Sequence, residues 1–440
     1  MPARHIETSP IGRSAMRKAF WRILPLILLA YLFAYMDRVN VSFAAATMNA
    51  DLGFSATTYG LGGGLFFLSY ALFAVPSNLL LVRFGAPQWI ALIMATWGLL
   101  SAGMMLVRTP MEFYTLRFLL GVAEAGFYPG VITYFAVWFP PCHRSRAVSR
   151  FCIASPLAAM AMGGMAGSLL GLEGHGGLHG WQWLFVAQGL PSALIGLLVL
   201  LFLPDRPETS TWLSSVEKQW VSGELAREQA AIGAPPSATI MAAFRNPLVL
   251  ISGITGIMLI GTVITMSLSA PIVLAGATGL DPAHVGYLVG LGGIVGVVTL
   301  LLLGNYADRI GDRLLLSSLC GLVMATALAV ILAAPSALAV ALAYLAFAAV
   351  CFAMPMLNSS NWADMFHVQE LAVCGAAINT FSQIGAFVAP FAWGAARDAT
   401  GNFDAGLAAL VALSLGTAAL TMILRNLLRR NQVRRAAALA

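Results

Sequence analysis

The chain has 440 residues, of which 59% are hydrophobic and only 10% charged, with a formal net charge of +6. Soluble domains average about 25% charged residues, so this composition excludes an ordinary soluble protein and indicates a chain that crosses a membrane many times. The basic residues fall in short loops and tails, which suits membrane topology better than a phosphate-binding face; no nucleic-acid partner is expected.

A helix needs about 20 mainly apolar residues to cross a bilayer. Such runs occur at residues 20–44, 57–81, 87–107, 111–137, 150–172 and 181–203, and again at 247–275, 283–304, 314–334, 336–361, 372–396 and 405–427. Only helices and closed barrels satisfy their backbone groups in lipid, and these runs are too long for barrel strands. The pattern therefore predicts an all-α membrane protein with 12 transmembrane helices in two six-helix bundles, at 20–203 and 247–427. Residues 1–19 read as a tail, 204–246 as a linker and 428–440 as a basic tail.

The first run opens like a signal peptide, with Arg17, Lys18 and Arg22 ahead of residues 23–35. Asp37 and Arg38 interrupt it before the small residues Ala44, Ala45 and Ala46, so it reads as an uncleaved span. In the second run Gly60, Gly62, Gly63 and Gly64 lack the lysine and the preceding strand of a nucleotide loop. The fourth run carries Arg117 and Glu124, seven residues apart. Two turns of helix place them on nearly the same face, roughly 10 Å apart along the axis. A charge at a helix centre costs about 2.5–3.5 kcal/mol on insertion scales, and such charges usually face a protein interior or a wet cavity on a transport pathway.

The linker opens with Pro204-Asp205-Arg206-Pro207, which stops a helix. Trp212, Leu213, Val216 and Trp220 then alternate with Glu217, Lys218, Glu224 and Arg227. That spacing predicts a short amphipathic helix on the membrane surface, acting as a tether between the bundles. In the second half, Asn358, Ser359, Asn361, Asn379, Ser382 and Gln383 interrupt apolar spans. Amides in hydrocarbon need partners, so they act either as glue between helices or as substrate ligands; Asn358 and Asn379 are the preferred substrate contacts.

If both termini are cytoplasmic, that side holds 20 of the basic residues, the opposite side holds Arg108 and Arg397, and Arg38 and Arg117 lie within spans. That asymmetry predicts the orientation. The five cysteines show no C-x-x-C pair and the histidines no metal spacing, so no disulfide framework, metal or other cofactor is expected. No nucleophile–base or metal cluster is visible, so an enzyme is not expected.

Asp37 and Glu124 are candidates to exchange a proton near neutral pH. A carboxyl group moved out of water loses hydration of its charged form and holds its proton more tightly. The alternative is a static role, neutralising Arg38 or Arg117. Arg38 and Arg117 are the expected anion partners, because a guanidinium stays ionised when desolvated and its fork matches a carboxylate. Neighbours on a helix point about 100° apart, so Asp37 and Arg38 cannot both aim at one spot. Tyr35 and Tyr70 each supply a phenol that can donate to a carboxylate or hydroxyl.

The halves repeat each other. Arg83 and Gly85 after the second run align with Arg309 and Gly311 after the eighth, as in a duplicated transporter. The second copy reads Gly304, then Asp308, Arg309, Gly311 and Arg313, and closely fits the G-x-x-x-D-R-x-G-x-R gating loop of the major facilitator superfamily, which the whole chain resembles. The first copy departs, with Val82 where an acid is expected. Within that superfamily the chain resembles the anion:cation symporters, and the bacterial tartrate-, hydroxyphenylacetate- and galactonate-permease-like branch in particular. Four stretches carry this: residues 35–40, 75–81, 116–130 and 203–207. Two features depart from the family pattern: small residues at 265–271 in the seventh run, and no Lys or Arg at 363–371.

The resemblance implies the major facilitator fold, location in the inner membrane, and proton-coupled uptake of a small organic carboxylate such as a sugar acid, dicarboxylate or aromatic acid. Its partners would be the anion, protons and the lipid bilayer, and a monomer is expected. Two rival readings remain: a proton-driven exporter of a metabolite or drug, and a membrane sensor built on a transporter fold.

Overall fold

The computed structural model describes residues 9–232, 244–366 and 368–439. Among the described residues, twelve helices are long and apolar enough to cross a membrane, numbered here as spans 1 to 12: Pro10–Leu52, Ala56–Phe84, Ala86–Leu106, Pro110–Trp138, Arg146–Leu170, Gly180–Phe202, Pro247–Thr278, Pro282–Gly304, Arg313–Ala333, Ala337–Ser360, Val373–Thr400 and Asp404–Arg430. Their even number leaves both chain ends on one face, called here the terminal face; the opposite one is the distal face.

Short polar side chains start many of these helices by occupying a free backbone N–H of the first turn. Ser55 accepts from Thr58, Asp281 from His284 and Asp312 from Leu315, and Thr109 forms a reciprocal capping box with Glu112. Gly53, Gly279 and Gly311 end spans 1, 7 and the extended span 8 helix in the left-handed conformation. Gly85 at the aligned end of span 2 also has positive φ, at 88°. The repeated glycine of the two loops thus answers a backbone need that a side chain would strain.

Spans 4, 5 and 10 are broken, each shortly before a proline. Span 4 divides into Pro110–Glu124 and Phe127–Trp138, span 5 divides at Ile153, and span 10 divides after Cys351. The breaks fall about four residues before Pro129, Pro156 and Pro355. A proline ring clashes with the carbonyl four residues back and removes its hydrogen bond.

Bare glycines let helices touch backbone to backbone. Span 3 meets span 6 this way: a Cβ on Gly98 would lie 2.6 Å from the Gly189 carbonyl oxygen. Between the bundles, such contacts lie at mid-membrane or toward the distal face. Gly60 and Gly64 of span 2 press on Pro390 and Phe387 of span 11, and Gly163 of span 5 presses on Gly286 and Gly290 of span 8. Hydrogen bonds join the bundles at the same level. Asp398 accepts from the backbone N–H groups of Ala56 and Thr57 at 3.0 and 2.7 Å, and Tyr59 donates to the Leu268 carbonyl at 2.9 Å. The distal face is closed.

Helix also forms outside the two predicted bundles. The predicted tail 1–19 is helical from Pro10, and span 1 runs unbroken into it. The linker helix, Ser215–Ile232, docks on this extension and leaves Val216 exposed. Glu217 is buried against the extension, accepting from Ser14 and Lys18 at 2.7 and 2.8 Å. Leu213 and Val221 are buried and Trp212 and Trp220 pack on the same core, so most of the apolar residues that suggested a membrane-lying helix face the protein instead. The final helix likewise continues through the predicted basic tail to Leu439.

Candidate functional site

The break in span 4 leaves Glu124 as the last residue of its first half, facing span 1. Arg38 of span 1 donates from Nε to Glu124 Oε2 at 2.7 Å. Its guanidinium lies over two rings of span 2, 5.0 Å from the centre of Tyr70 and 5.7 Å from Phe66. Arg117 lies 4.8 Å from the same Phe66 ring and donates to the Gly62 carbonyl at 3.3 Å. One aromatic ring thus faces two cations, and each such contact is worth about 0.5–2 kcal/mol, more where water is excluded.

Asp37 points away from Arg38, as helix geometry requires. It accepts from Asn40 at 3.1 Å and from the Ser101 hydroxyl of span 3, and lies near enough to Glu124 and Arg117 to interact with both charges. The four charged residues therefore form one cluster with no net charge when all are ionised. Asp37, Glu124 and Arg117 are buried, at 3%, 0% and 2% exposure, whereas the Arg38 side chain keeps 19%. Within these four side chains, three buried atoms have no hydrogen-bond partner among the described residues: Nη2 of Arg38, Nη2 of Arg117 and Oε1 of Glu124. An orphaned buried donor costs about 1–3 kcal/mol, more when charged, so these atoms are a standing demand for a ligand or a proton.

Beside the cluster, a cavity of about 50 Å³ lies between the bundles, with Tyr35, Ser42 and Phe43 of span 1 facing Ser267 of span 7 and Tyr344 and Phe352 of span 10. Its wall is mainly apolar and aromatic, with hydroxyls as the polar points. Tyr35 lines this cavity about one helical turn before Arg38, and Tyr70 stacks against Arg38. The two amides behave differently. Asn358 donates to Ser317 of span 9 at 2.9 Å and to the Met354 carbonyl at 3.2 Å, which ties span 10 to span 9. Asn379 is exposed on span 11.

In the repeated loops, Arg83 is exposed and lies over Phe84 at 5.8 Å. A Cβ on Gly304 would lie 3.5 Å from the Met356 methyl, Arg309 is exposed, and Arg313 donates to the Ser360 carbonyl at 3.3 Å. The side chain of Asp308 lies outside the described residues. The carboxylate with a visible role here is one the sequence reading passed over. Asp312 caps span 9 and accepts from Nε and Nη2 of Arg425 at 2.9 and 2.7 Å, and from Arg429 at 2.6 Å. Asn40, Ser101 and Asp398 were also passed over. Asn40 was discoverable as an amide inside an apolar run; a lone serine in a span, or an acid at a loop edge, carries no such signal.

The family model for the Major Facilitator Superfamily matches residues 27–390. The chain belongs to this superfamily. A protein of Agrobacterium vitis named "Putative tartrate transporter" is 38% identical over 422 residues, covering 95% of this chain and 93% of its own. A "Quinolone resistance transporter" of Acinetobacter baumannii is also 38% identical, covering 96% and 97%. The "Inner membrane transport protein RhmT" of Escherichia coli is 31% identical, covering 91% and 93%. Among solved structures, a D-xylose-proton symporter has a TM-score of 0.72 at 14% identity, covering 91% of this chain and 97% of that one, a likeness of fold. The chain is a multi-pass membrane transporter and not an enzyme, and the tartrate-transporter relatives agree with the resemblance to anion symporters.

Proposed function

We propose that this transporter takes up a small organic carboxylate together with protons by alternating access, with the terminal face cytoplasmic and the inner membrane as its location. One observation carries the reading: Arg38 is held by Glu124 in a cluster that still has unpaired donors on both arginines. Glu124 competes with a substrate carboxylate for Arg38. A proton on Glu124 weakens its hold, and Arg38 is then free to bind the substrate anion. Anion entry and proton entry thereby favour each other, because each restores the charge balance that the other disturbs. Asp37 carries protons beside Glu124, and Arg117 balances the pair. Tyr35 and Tyr70 orient the anion, while Asn358 and Asn379 supply contacts from the second bundle once the bundles close on substrate. The Arg83, Gly85, Gly304, Asp308, Arg309, Gly311 and Arg313 loops gate the terminal face. The tartrate-transporter relatives support the anion, and the inner-membrane relative supports the location.

The test uses proteoliposomes, with Asp37→Asn and Glu124→Gln variants assayed for uptake of tartrate and of an aromatic acid under an imposed pH gradient. Each variant is expected to lose uphill accumulation while keeping exchange at equal pH. Full pH-driven accumulation by both variants would end the proton-carrier assignment. A second reading, export of an apolar metabolite or drug, is favoured by the aromatic wall of the cavity and by the quinolone-resistance relative. Inverted vesicles that accumulate such a compound under the same gradient, with no carboxylate uptake, would select it.

A further inference from the structure

Away from the transport cluster, on the terminal rim of the first bundle, a surface cavity of about 370 Å³ is lined by Arg17, Lys18, Trp21, Arg22 and Trp212. Its walls come from two elements far apart in sequence. Span 1 contributes the three cations and Trp21, and the linker contributes Trp212 just before its helix.

The cavity is held in shape. Trp212 stacks on the buried Trp138 at the end of span 4, with ring centres 5.2 Å apart and planes at 19°. Lys18 is fixed by Glu217, which is itself held by Ser14 and the Ser214 backbone. With Lys18 so occupied, the cavity keeps two exposed cations that have no acidic partner among the described residues, Arg17 and Arg22. Trp21, between them in space and sequence, is 76% exposed.

Position identifies the ligand. Arg22 is the last charge before the uncharged stretch 23–36 of span 1, so the cavity lies where water gives way to hydrocarbon. Tryptophan is favoured at that level, with an apolar ring and one polar N–H. An anion bound there meets two unpaired guanidinium groups, while apolar chains attached to it run down beside exposed Trp21. A soluble anion could use the cations but would gain nothing from the tryptophan.

We propose that this cavity binds the phosphate of an anionic phospholipid headgroup and so anchors the junction of span 1 and the linker to the membrane. The inference is independent of the substrate and coupling assignments above. It is tested with the full-length transporter in nanodiscs of mixed phosphatidylglycerol and phosphatidylcholine, measuring the lipids that stay bound by native mass spectrometry. A basic residue near an anionic surface contributes about fivefold in affinity, so Arg17→Gln with Arg22→Gln is expected to lower phosphatidylglycerol retention about 30-fold. Removing two cations elsewhere on that face, with Arg227→Gln and Arg429→Gln, is expected to leave it within about twofold, and the Arg17→Lys/Arg22→Lys variant is expected to retain it. If the first double variant fails to fold, Trp21→Ala provides the same reading and is expected to weaken retention at unchanged charge. Equal retention of the two lipids by the unaltered protein would overturn the proposal. So would equal losses in both Arg→Gln double variants, or full displacement of the lipid by inorganic phosphate at tens of millimolar, which would mark a site for a free anion.

Discussion

Adding one methyl group at Gly163 is expected to hold the distal face open. A Cβ at that position would lie 2.4 Å from the Gly286 carbonyl oxygen and 2.6 Å from the Gly290 nitrogen, whereas ordinary contact is 3.4–4 Å. The atoms met are backbone and cannot swing aside, so spans 5 and 8 must separate by about 1 Å, at an overpacking cost of about 1–3 kcal/mol. Every 1.4 kcal/mol is a factor of ten, so the closed distal state loses about 5- to 150-fold in population. The neighbouring Gly164 is the control, since a Cβ there meets nothing within 4 Å. The reporter is Ala270→Cys, a cavity-lining residue only 2% exposed, in a background without native cysteines. An impermeant maleimide applied from the distal side should label it faster in Gly163→Ala, and at the parental rate in Gly164→Ala. Equal labelling in all three would refute the reasoning that backbone contact at this glycine closes the face.

Asp398→Ala removes two charge-assisted hydrogen bonds and the acid that caps span 2, a loss of about 1 kcal/mol, and the same labelling should rise about fivefold. An unchanged rate would show that Asp398 does not hold the closed state. Gly311→Ala should destabilise its loop by about 1 kcal/mol through backbone strain alone, since φ is +68° and no atom lies near the added methyl; an unchanged melting temperature would count against it. Arg38→Lys should weaken substrate binding at least tenfold, because the compact ammonium loses the fork and the ring contact with Tyr70; unchanged affinity by equilibrium binding would remove Arg38 as the anion partner. Docking of the linker should fail in acid. Burial alone would raise the Glu217 carboxyl, but hydrogen bonds from Lys18, the Ser214 backbone and Ser14 outweigh it and hold the group at about 2. A lowered carboxyl stabilises above its unfolded value of 4.5, and that contribution is lost as pH falls toward 2. Fluorescence of Trp220, which packs on Gly12, should therefore change below pH 4.5 and not in Glu217→Gln.

The charges of the site were legible because charge is rare in these spans: Asp37, Arg38, Arg117 and Glu124 stood out against apolar runs. Their partners did not. That Arg38 would choose Glu124 while Asp37 turned to Ser101 depends on which helix lies on which side of span 1, and no residue in span 1 states that. Asn358 shows the same limit, since nothing in its own span states that its amide reaches Ser317 of the next helix.

The sequence by itself determined twelve spans and the charged residues that stand inside the first and fourth, because hydrocarbon tolerates so few arrangements of backbone and charge that composition and run length settle them. Tertiary structure alone decided the pairing within the cluster, the docking of the linker on span 1 and the closure of the distal face. Those outcomes rest on contacts between segments up to hundreds of residues apart, where a missing Cβ or a single carboxylate acquires meaning only from the surface brought against it.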